Sequence, residues 1–302
     1  MSRIIEGVTP PPKFVVSSGS LLLDRELTAY GGYPSGSIIQ YMSHVEGSFK
    51  TSFALRCMAN IQAQGMPVGF VDAEHALDQY WAMNMGIDIH KGWFTSRPIT
   101  AEEAFEDTIE MIVKHGCKGV VFDSVDAAQP EALVSVEDGS KEISDATIGL
   151  HAKAITRGVR KLLGVLNKHD AVVIFINQMK VNMTQMGARG YKATGGSGIG
   201  FYSKINLKMT RESSGKMEGK DIIPIKMVID RSKLGPSFRE IDTFAVQGYT
   251  IDAEYELIQI AQDRKLVKRA GSWWKTKDNE TIGQSLEDVR EYCLQHKDLI
   301  LK

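Results

Sequence analysis

The sequence lacks several features that define large classes of protein. Its 302 residues include only three cysteines, Cys57, Cys117 and Cys293, and none of them forms a CxxC motif. This usage predicts reduced, mostly buried thiols of a cytoplasmic protein and excludes a disulfide framework or a zinc site. The seven histidines also lack metal-ligand spacing such as HExxH.

Other absences concern membranes, disorder and charge. No apolar run approaches the roughly 18 residues of a transmembrane helix, and the N-terminus has no apolar stretch of signal-peptide length, so we expect no membrane partner. A hydrophobic content of 43% excludes disorder throughout the chain. The net charge of −1 excludes a basic coat, so any nucleic-acid contact must come from a local basic patch.

The hydrophobic pattern indicates an α/β protein. Short, nearly all-apolar strands alternate with longer helical patterns up to residue 177, which predicts a mixed, mainly parallel sheet sandwiched by helices. Beyond residue 200, strands follow one another without intervening helices and predict an antiparallel extension of that sheet. The predicted strands lie at 37–42, 68–72, 119–123, 171–177, 201–210, 222–230 and 238–246, and the helices near 51–64, 101–115 and 150–168.

We expect three regions along the chain. Residues 1–13 form an N-terminal arm that ends in three prolines, which favour an extended conformation. Residues 14–250 form the α/β core. Residues 251–302 form a small C-terminal α/β domain, in which two helical stretches flank residues 272–277. A chain of this length suits one large domain with a small appendage.

A phosphate-binding loop is indicated at residues 43–51, between the first strand and a helix. The P-loop pattern G-x-x-x-x-G-K-[ST] wraps backbone N–H groups around phosphate oxygens and places a lysine on the outer phosphates and a hydroxyl on Mg²⁺. Lys50 and Thr51 are in place, but His44 and Phe49 replace both pattern glycines. Taken alone, the segment is equally compatible with an ordinary strand–turn–helix connection, in which Thr51 caps the helix and Lys50 is solvated.

Two carboxylates strengthen the phosphate-loop interpretation. Asp123 ends an apolar strand, as a residue that supports Mg²⁺ should, and Glu74 follows another strand, where a carboxylate can activate water. Each is also compatible with a simple role, Asp123 in a turn and Glu74 at a helix start. Because open α/β sheets bind ligands at the carboxyl ends of their strands, the three features together predict a nucleotide and Mg²⁺ site.

Several motifs resemble the RecA family of ATP-dependent DNA strand-exchange recombinases, over roughly residues 17–296. The match is carried by SSGSLLLD at 17–24, FVDAEHALD at 70–78, DSV at 123–125, FINQ at 175–178, TGG at 194–196 and GSWW to IGQ at 271–284. The resemblance implies a P-loop RecA-type core and an ATPase that uses ATP and Mg²⁺. It also implies a helical filament on single-stranded DNA, which pairs with homologous double-stranded DNA in recombination and repair.

The resemblance also implies residue roles at the ATP site. Lys50 would bind phosphate, Glu74 would activate the attacking water and Gln178 would sense the γ-phosphate. Thr51 and Asp123 would hold Mg²⁺. The implied ATP-binding residues are Glu46, Gly47, Ser48, Phe49, Lys50, Thr51, Ser52, Asp78, Trp81, Arg231 and Lys233.

Four of these residues carry particular expectations. Asp78 and Trp81 fall where the family contacts adenine, and the tryptophan stands in for a tyrosine that can stack on a base. Arg231 and Lys233 fall where two lysines reach a neighbouring subunit's ATP, and the arginine changes the donor geometry.

DNA binding is expected in two stretches without a regular pattern, 131–147 and 179–197. Cations with a tyrosine among them in the second stretch suit a single-stranded phosphate backbone, although a mobile surface loop with ordinary charges is the alternative. The first stretch is acidic, so fewer phosphate contacts are expected there. With the resemblance, the implied DNA-binding residues are Ile148, Arg160, Lys180, Met183, Arg189, Lys192, Thr194, Gly195 and Gly196.

The chain departs from the family pattern in three ways. Phage recombinases of the UvsX type share the phenylalanine before the lysine, so Phe49 indicates a phage-like member acting in a bacterium or an infected host cell. His44 has no such parallel. The N-terminal helix and acidic C-terminal tail of bacterial members do not appear, so we expect residues 2–6 to dock on a neighbour instead, as an added strand.

Three other functions compete with a recombinase. An ATP-binding recombination mediator or regulator with weak or no hydrolysis is favoured by the two altered P-loop positions. A hexameric helicase motor is disfavoured by the AEHALD segment at 73–78. A metabolic kinase would leave Arg231 and Lys233 without a role.

Overall fold

The computed structural model describes residues 10–134, 145–183, 189–217, 220–246 and 251–302. The segment 2–6 that we expect to dock on a neighbour, and most of the acidic stretch 131–147, lie outside these ranges. Within them, no helix is long and apolar enough to cross a membrane. The three cysteines are free and buried.

The helices begin where the sequence offers capping side chains. At the start of the fourth helix, the Thr100 hydroxyl accepts a hydrogen bond from the Glu103 N–H, and the Glu103 carboxylate accepts one from the Thr100 N–H. Ser285 and Asp288 form the same reciprocal cap on the ninth helix. The helices are α1 (Leu21–Glu26), α2 (Lys50–Gln62), α3 (Gln79–Asn84), α4 (Ala101–Val113), α5 (Glu131–Val134), α6 (Asp145–His169), α7 (Gly198–Tyr202), α8 (Ala253–Asp263), α9 (Leu286–Gln295) and α10 (Lys297–Leu301).

In the described part of the chain the strands form three sheets, of which the largest has ten strands. The predicted strand at 201–210 begins later, because α7 occupies residues 198–202. The strands are β1 (Val15–Val16), β2 (Tyr33–Pro34), β3 (Ser37–Ser43), β4 (Val68–Asp72), β5 (Trp93–Ser96), β6 (Gly119–Asp123), β7 (Val172–Met183), β8 (Arg189–Ala193), β9 (Ile205–Arg211), β10 (Gly215–Met217), β11 (Lys220–Ser232), β12 (Arg239–Val246), β13 (Val267–Ala270), β14 (Trp273–Thr276) and β15 (Thr281–Gly283).

The central part of the large sheet is parallel, as the hydrophobic pattern predicts. Its parallel strands lie in the order β9, β3, β7, β6, β4 and β5. The predicted antiparallel extension is confirmed for β11 and β12, whereas β9 runs parallel to β3 because the short helix α7 reverses the chain before it.

Side chains of the central strands alternate between two apolar cores, one on each face of the sheet. Ile39 of β3 and Ile174 of β7 belong to the core beneath α1, α2 and α8, and Ile38 and Phe175 belong to the core beneath α4 and α6. Because successive side chains of a strand point to opposite faces, strands that are apolar throughout are buried on both.

The C-terminal region has its own antiparallel sheet, β13–β14–β15, between α8 and α9. Apolar residues of this region, including Trp274 of β14 and Val289 of α9, belong to the core that also contains Ile39 and Ile174, which we call the first core cluster. The boundaries predicted for three separate regions stay a prediction.

The parallel arrangement brings the ends of β3, β4 and β6 to one edge, beside Gln178 within β7. Ser43 at the end of β3 lies level with Gln178 of β7, and Asp72 at the end of β4 lies level with Asp123 of β6. The ligand edge expected from the sequence is therefore lined by polar residues from neighbouring strands.

Candidate functional site

The phosphate loop leaves β3 in a tight turn. The Ser43 hydroxyl donates a hydrogen bond to the Val45 carbonyl and accepts one from the Val45 N–H, each at 3.0 Å. Gly47 has a left-handed φ of 63°, and a Cβ placed on it would lie only 3.1 Å from Nη1 of Arg211. Glycine therefore allows both the turn and the close approach of Arg211, a residue that the sequence analysis did not single out.

Phe49 takes the left-handed conformation that the second P-loop glycine normally provides. Its φ is 65°, it is the N-cap residue of α2, and its ring packs against the first core cluster. A residue with a Cβ pays roughly 1–2 kcal/mol for this conformation. The loop thus keeps its P-loop shape at this position, and apolar packing of the Phe49 ring opposes the strain.

Lys50, Thr51 and Asp123 meet below the loop. Oγ1 of Thr51 donates a hydrogen bond of 2.7 Å to Oδ2 of Asp123, and Nζ of Lys50 donates one of 3.2 Å to Oγ of Ser48. Burial raises the pKa of Asp123 to about 7, although the Thr51 hydrogen bond and the Lys50 charge oppose that rise. Burial also lowers the pKa of Lys50, against the charges of Asp123, Glu74 and Glu46.

Glu74 is held next to Asp123 by the turn after β4. The Asp72 carboxylate accepts hydrogen bonds from the N–H groups of Ala76 and Leu77, which folds the chain back over the strand end. Oε1 of Glu74 then accepts a hydrogen bond of 2.5 Å from Oγ of Ser124. Ser124 is a further site residue that the sequence analysis did not predict, although it belongs to the DSV motif.

Trp81 is fixed against the start of α2. Its indole Nε1 donates a hydrogen bond of 3.0 Å to Oγ of Ser52, in the first turn of that helix. Asp78 caps α3 by accepting a hydrogen bond of 2.8 Å from the Trp81 N–H. The structure thus brings the two residues predicted at adenine to the phosphate-loop helix, and it also gives Asp78 a capping role.

Gln178 lies beside the root of the phosphate loop and is tied to the TGG motif. Its carbonyl accepts a hydrogen bond of 3.1 Å from the Thr194 N–H. The side chain of buried Asn177 donates to the Thr194 carbonyl at 3.0 Å and accepts from its hydroxyl at 2.5 Å. Asn177 is missing from the predicted site. The sequence feature that could have indicated it is a polar residue directly after the apolar run at 172–176.

The two glycines after Thr194 run close to their neighbours. A Cβ on Gly195 would lie 2.8 Å from Val125, and one on Gly196 would lie 2.9 Å from Ala152. Small residues at both positions let this segment pack between the Asp123 strand end and α6.

The prediction that residues 179–197 lack regular structure is wrong. β7 continues to Met183 and pairs antiparallel with β8, so that Lys180 lies level with Lys192 and Met183 with Arg189. The segment contains glycines and scattered cations and no apolar run of strand length, so the apolar pattern did not predict this backbone-paired hairpin. The structure does not describe the side chains of four residues that are predicted to contact DNA, namely Ile148, Met183, Arg189 and Lys192.

Two predicted DNA contacts have partners within the chain. Nζ of Lys180 forms an ion pair of 3.0 Å with Oδ1 of Asp126, just beyond the DSV motif. Nε of Arg160 donates a hydrogen bond of 3.1 Å to the Tyr202 hydroxyl. Lys180 would have to exchange a carboxylate for a phosphate in order to bind DNA.

Arg231 and Lys233 lie at the end of β11, two strands away from β3, and not level with the end of β3 where the phosphate loop begins. Arg231 is level with Asn206, which is level with Gln40 in the middle of β3, whereas the loop begins at Ser43. Nη1 of Arg231 donates to the Gly200 carbonyl at 3.0 Å and Nζ of Lys233 to the Phe201 carbonyl at 3.1 Å. The structure therefore does not bring these two cations to the nucleotide site of their own chain.

These cations repel one another. Burial lowers the pKa of Lys233, with help from the charge of Arg231, and it lowers the pKa of Lys204, with help from the charge of Lys233. A cluster of cations beside the exposed Phe201 ring is well suited to an anion brought by another molecule.

Comparisons with known proteins agree with this arrangement. A family model for the RecA N-terminal domain matches residues 12–252. RecA proteins of Listeria monocytogenes, Listeria innocua and Listeria ivanovii are each 37% identical to this chain over 287 residues, which cover 94% of this chain and 79% of each relative.

Proposed function

The chain belongs to the RecA family and is a recombinase of DNA recombination and repair, and from this premise we propose that it hydrolyses ATP with Mg²⁺ on single-stranded DNA. In this proposal subunits assemble into a helical filament on one strand, pair it with homologous double-stranded DNA and exchange the strands.

The observation that carries the proposal is the shared edge of β3, β4 and β6. The hydrogen bond from Thr51 to Asp123 joins the phosphate loop to a neighbouring strand, and Glu74 lies beside them on Ser124. We assign Lys50 to the outer phosphates and Glu74 to the attacking water, whose proton it would accept. Ser124 orients the Glu74 carboxylate.

The residues at this edge fit Mg²⁺. The buried Asp123 carboxylate has a raised pKa, so a cation beside it would favour its ionised form. The described residues hold no cluster of three or more protein ligands, which suits a metal that keeps its waters and binds substrate phosphates. Thr51 and Asp123 would hold Mg²⁺, which supplies charge stabilisation at the phosphate oxygens.

A shared site would explain Arg231 and Lys233. Both lie away from the phosphate loop of their own chain, and the family resemblance implies that they reach the nucleotide of a neighbouring subunit. A cation delivered from a neighbour stabilises the charge that spreads over the γ-phosphate oxygens only when the subunits are in register. DNA that aligns the subunits would therefore stimulate hydrolysis.

The first test is ATP turnover measured against the length of single-stranded DNA. The chain should hydrolyse ATP faster as the strand becomes long enough to align several subunits. Glu74→Gln should keep nucleotide and DNA binding and lose at least about a hundredfold in turnover, the scale of general-base catalysis. Undiminished hydrolysis in Glu74→Gln would reject the assignment of the base.

The shared site has a separate test, in which two inactive proteins are mixed. Lys50→Ala lacks the loop lysine, and Arg231→Ala/Lys233→Ala lacks the proposed trans cations. Some junctions in a mixed filament pair an intact loop with intact cations, so hydrolysis should partly recover. Co-assembly on DNA without any recovery counts against a shared site.

Phe49 favours one alternative, an ATP-binding mediator or regulator with weak or no hydrolysis. Its left-handed backbone is strained in a loop whose amides must surround phosphate. In that case nucleotide would bind, and turnover would stay at background whatever the length of DNA. Phe49→Gly would then raise turnover by relieving the strain.

A bacterial cytoplasm or an infected host cell as the place of action stays a prediction, which the three free cysteines support.

A further inference from the structure

His44 stands where the P-loop pattern has its first glycine, and phosphate chemistry does not require an imidazole there. In the structure its ring stacks on the ring of Tyr191, with the centroids 4.1 Å apart and the planes 26° from parallel. Both residues are exposed, so the contact is not a consequence of burial in a core. The substituted glycine position therefore makes a specific contact.

The two rings belong to different functional elements. His44 follows Ser43 directly and opens the loop that leads to Lys50. Tyr191 lies in β8 and pairs with Val181 of β7, in the hairpin that carries the predicted DNA cations. The stack is thus a side-chain contact between the phosphate loop and the hairpin.

A cleft of about 310 Å³ lies next to this contact, and its lining includes Met42 of β3, Met179 and Tyr191 of the hairpin and Phe201 of α7. Fewer packed side chains surround the hairpin on this side than in a core, so one ring contact contributes a larger part of what holds Tyr191 in place.

We propose that His44 and Tyr191 form a positioning pair that couples nucleotide binding at the phosphate loop to DNA binding at the β7–β8 hairpin. This rests on the proposed function, which supplies the two ligands. Phosphates order the loop and fix the His44 ring. The ring then holds Tyr191, and with it the hairpin, in the position that binds DNA. By linkage, DNA raises nucleotide affinity by the same factor.

The test measures that factor. The affinity for a labelled single-stranded oligonucleotide is determined with and without a slowly hydrolysed ATP analogue and Mg²⁺, and the affinity for the analogue with and without the oligonucleotide. The proteins are the unchanged chain, Tyr191→Leu, His44→Gly, the double variant and Tyr191→Phe, which keeps the ring.

Tyr191→Leu and His44→Gly should each lower the coupling factor by roughly three- to tenfold, the range expected for one aromatic pair. The double variant should lose no more than either single variant, because the pair acts as a unit. Tyr191→Phe should retain the coupling. The coupling factor is a ratio of two affinities, so a change in the affinity for either ligand alone does not by itself alter it, and thermal unfolding should confirm that the variants fold.

Two results overturn the coupling pair while the proposed function stands. One is unchanged coupling in Tyr191→Leu and His44→Gly. The other is a double variant whose loss equals the product of the single losses, since the rings would then act independently. Absence of coupling in the unchanged chain would also overturn the coupling pair, whereas the DNA-stimulated hydrolysis of the proposed function is tested separately by ATP turnover.

Discussion

Asp123 at the phosphate-loop edge and Glu256 in α8 are both buried carboxylates. Their raised pKa values are similar, but their hydrogen-bond partners differ. Burial raises the pKa of each to about 7. Asp123 accepts a hydrogen bond from Thr51 and lies near Lys50. Glu256 accepts hydrogen bonds from the Ser20 hydroxyl and from the N–H groups of Leu21 and Leu22.

The comparison separates a structural carboxylate, Glu256, from Asp123, for which we propose a role in binding Mg²⁺. Glu256 closes the first turn of α1 and joins two parts of the chain more than 230 residues apart. Ser20, from the family's opening motif, caps the same helix, so this motif acts in folding. Burial raises the pKa in both regions, so the pKa does not distinguish the two carboxylates. Their hydrogen-bond donors do, because Glu256 accepts from Ser20, Leu21 and Leu22, whereas Asp123 accepts from Thr51 of the phosphate-loop helix.

The largest difference should appear in activity. Asp123→Asn keeps the size and the acceptor for Thr51 but loses the charge that would hold Mg²⁺, so DNA-dependent ATP turnover should fall by at least about a hundredfold. The folded protein should be more stable at pH 8 by about 1–2 kcal/mol, because a buried charge is gone. Steady-state kinetics and urea unfolding measure the two effects, and Glu256→Gln is the matched control with near-normal turnover.

The reverse pattern is expected for Glu256→Ala. It leaves the Leu21 and Leu22 amides and the Ser20 hydroxyl without their acceptor, so the free energy of unfolding should drop by about 2–4 kcal/mol. Glu256→Gln should lose less, since an amide can still accept from the N–H groups. Turnover per folded molecule should stay near normal, and a hundredfold loss in Glu256→Ala would place Glu256 in the active machinery.

The smallest effect should be a dependence of stability on pH. Glu256 titrates near 4.5 when unfolded and at about 7 when folded, so the native state binds more protons between these values and stability falls as pH rises. Between pH 5 and pH 8, Glu256 should lower the free energy of unfolding by about 2 kcal/mol, and Glu256→Gln should remove this pH dependence. Mg²⁺ and ADP should remove the pH dependence that Asp123 contributes and leave the part from Glu256. Urea midpoints measured across this pH range report both contributions.

The sequence predicted the sheet and its ligand edge because both are encoded locally. Apolar strands specify burial on two faces, and the residues that end β3, β4 and β6 fall together once the strands are parallel. Lys50, Thr51, Asp123 and Glu74 could therefore be placed together without coordinates.

Contacts between distant side chains were not predictable in this way. The Lys180–Asp126 ion pair and the His44–Tyr191 stack each depend on the path of the hairpin, which short-range patterns did not show. The position of Arg231 follows from the register of β9 and β11, which no local motif encodes.

The ion pair between Lys180 and Asp126 has a consequence for the thermodynamics of the proposed DNA complex. A free lysine that binds a DNA phosphate releases a condensed counterion, and this release makes affinity fall as salt rises. Lys180 instead exchanges one bound anion for another, and the Asp126 carboxylate that it leaves must recruit a cation from solution. The net counterion release at this contact is therefore smaller than for an unpaired lysine, which makes this part of the interface less sensitive to ionic strength.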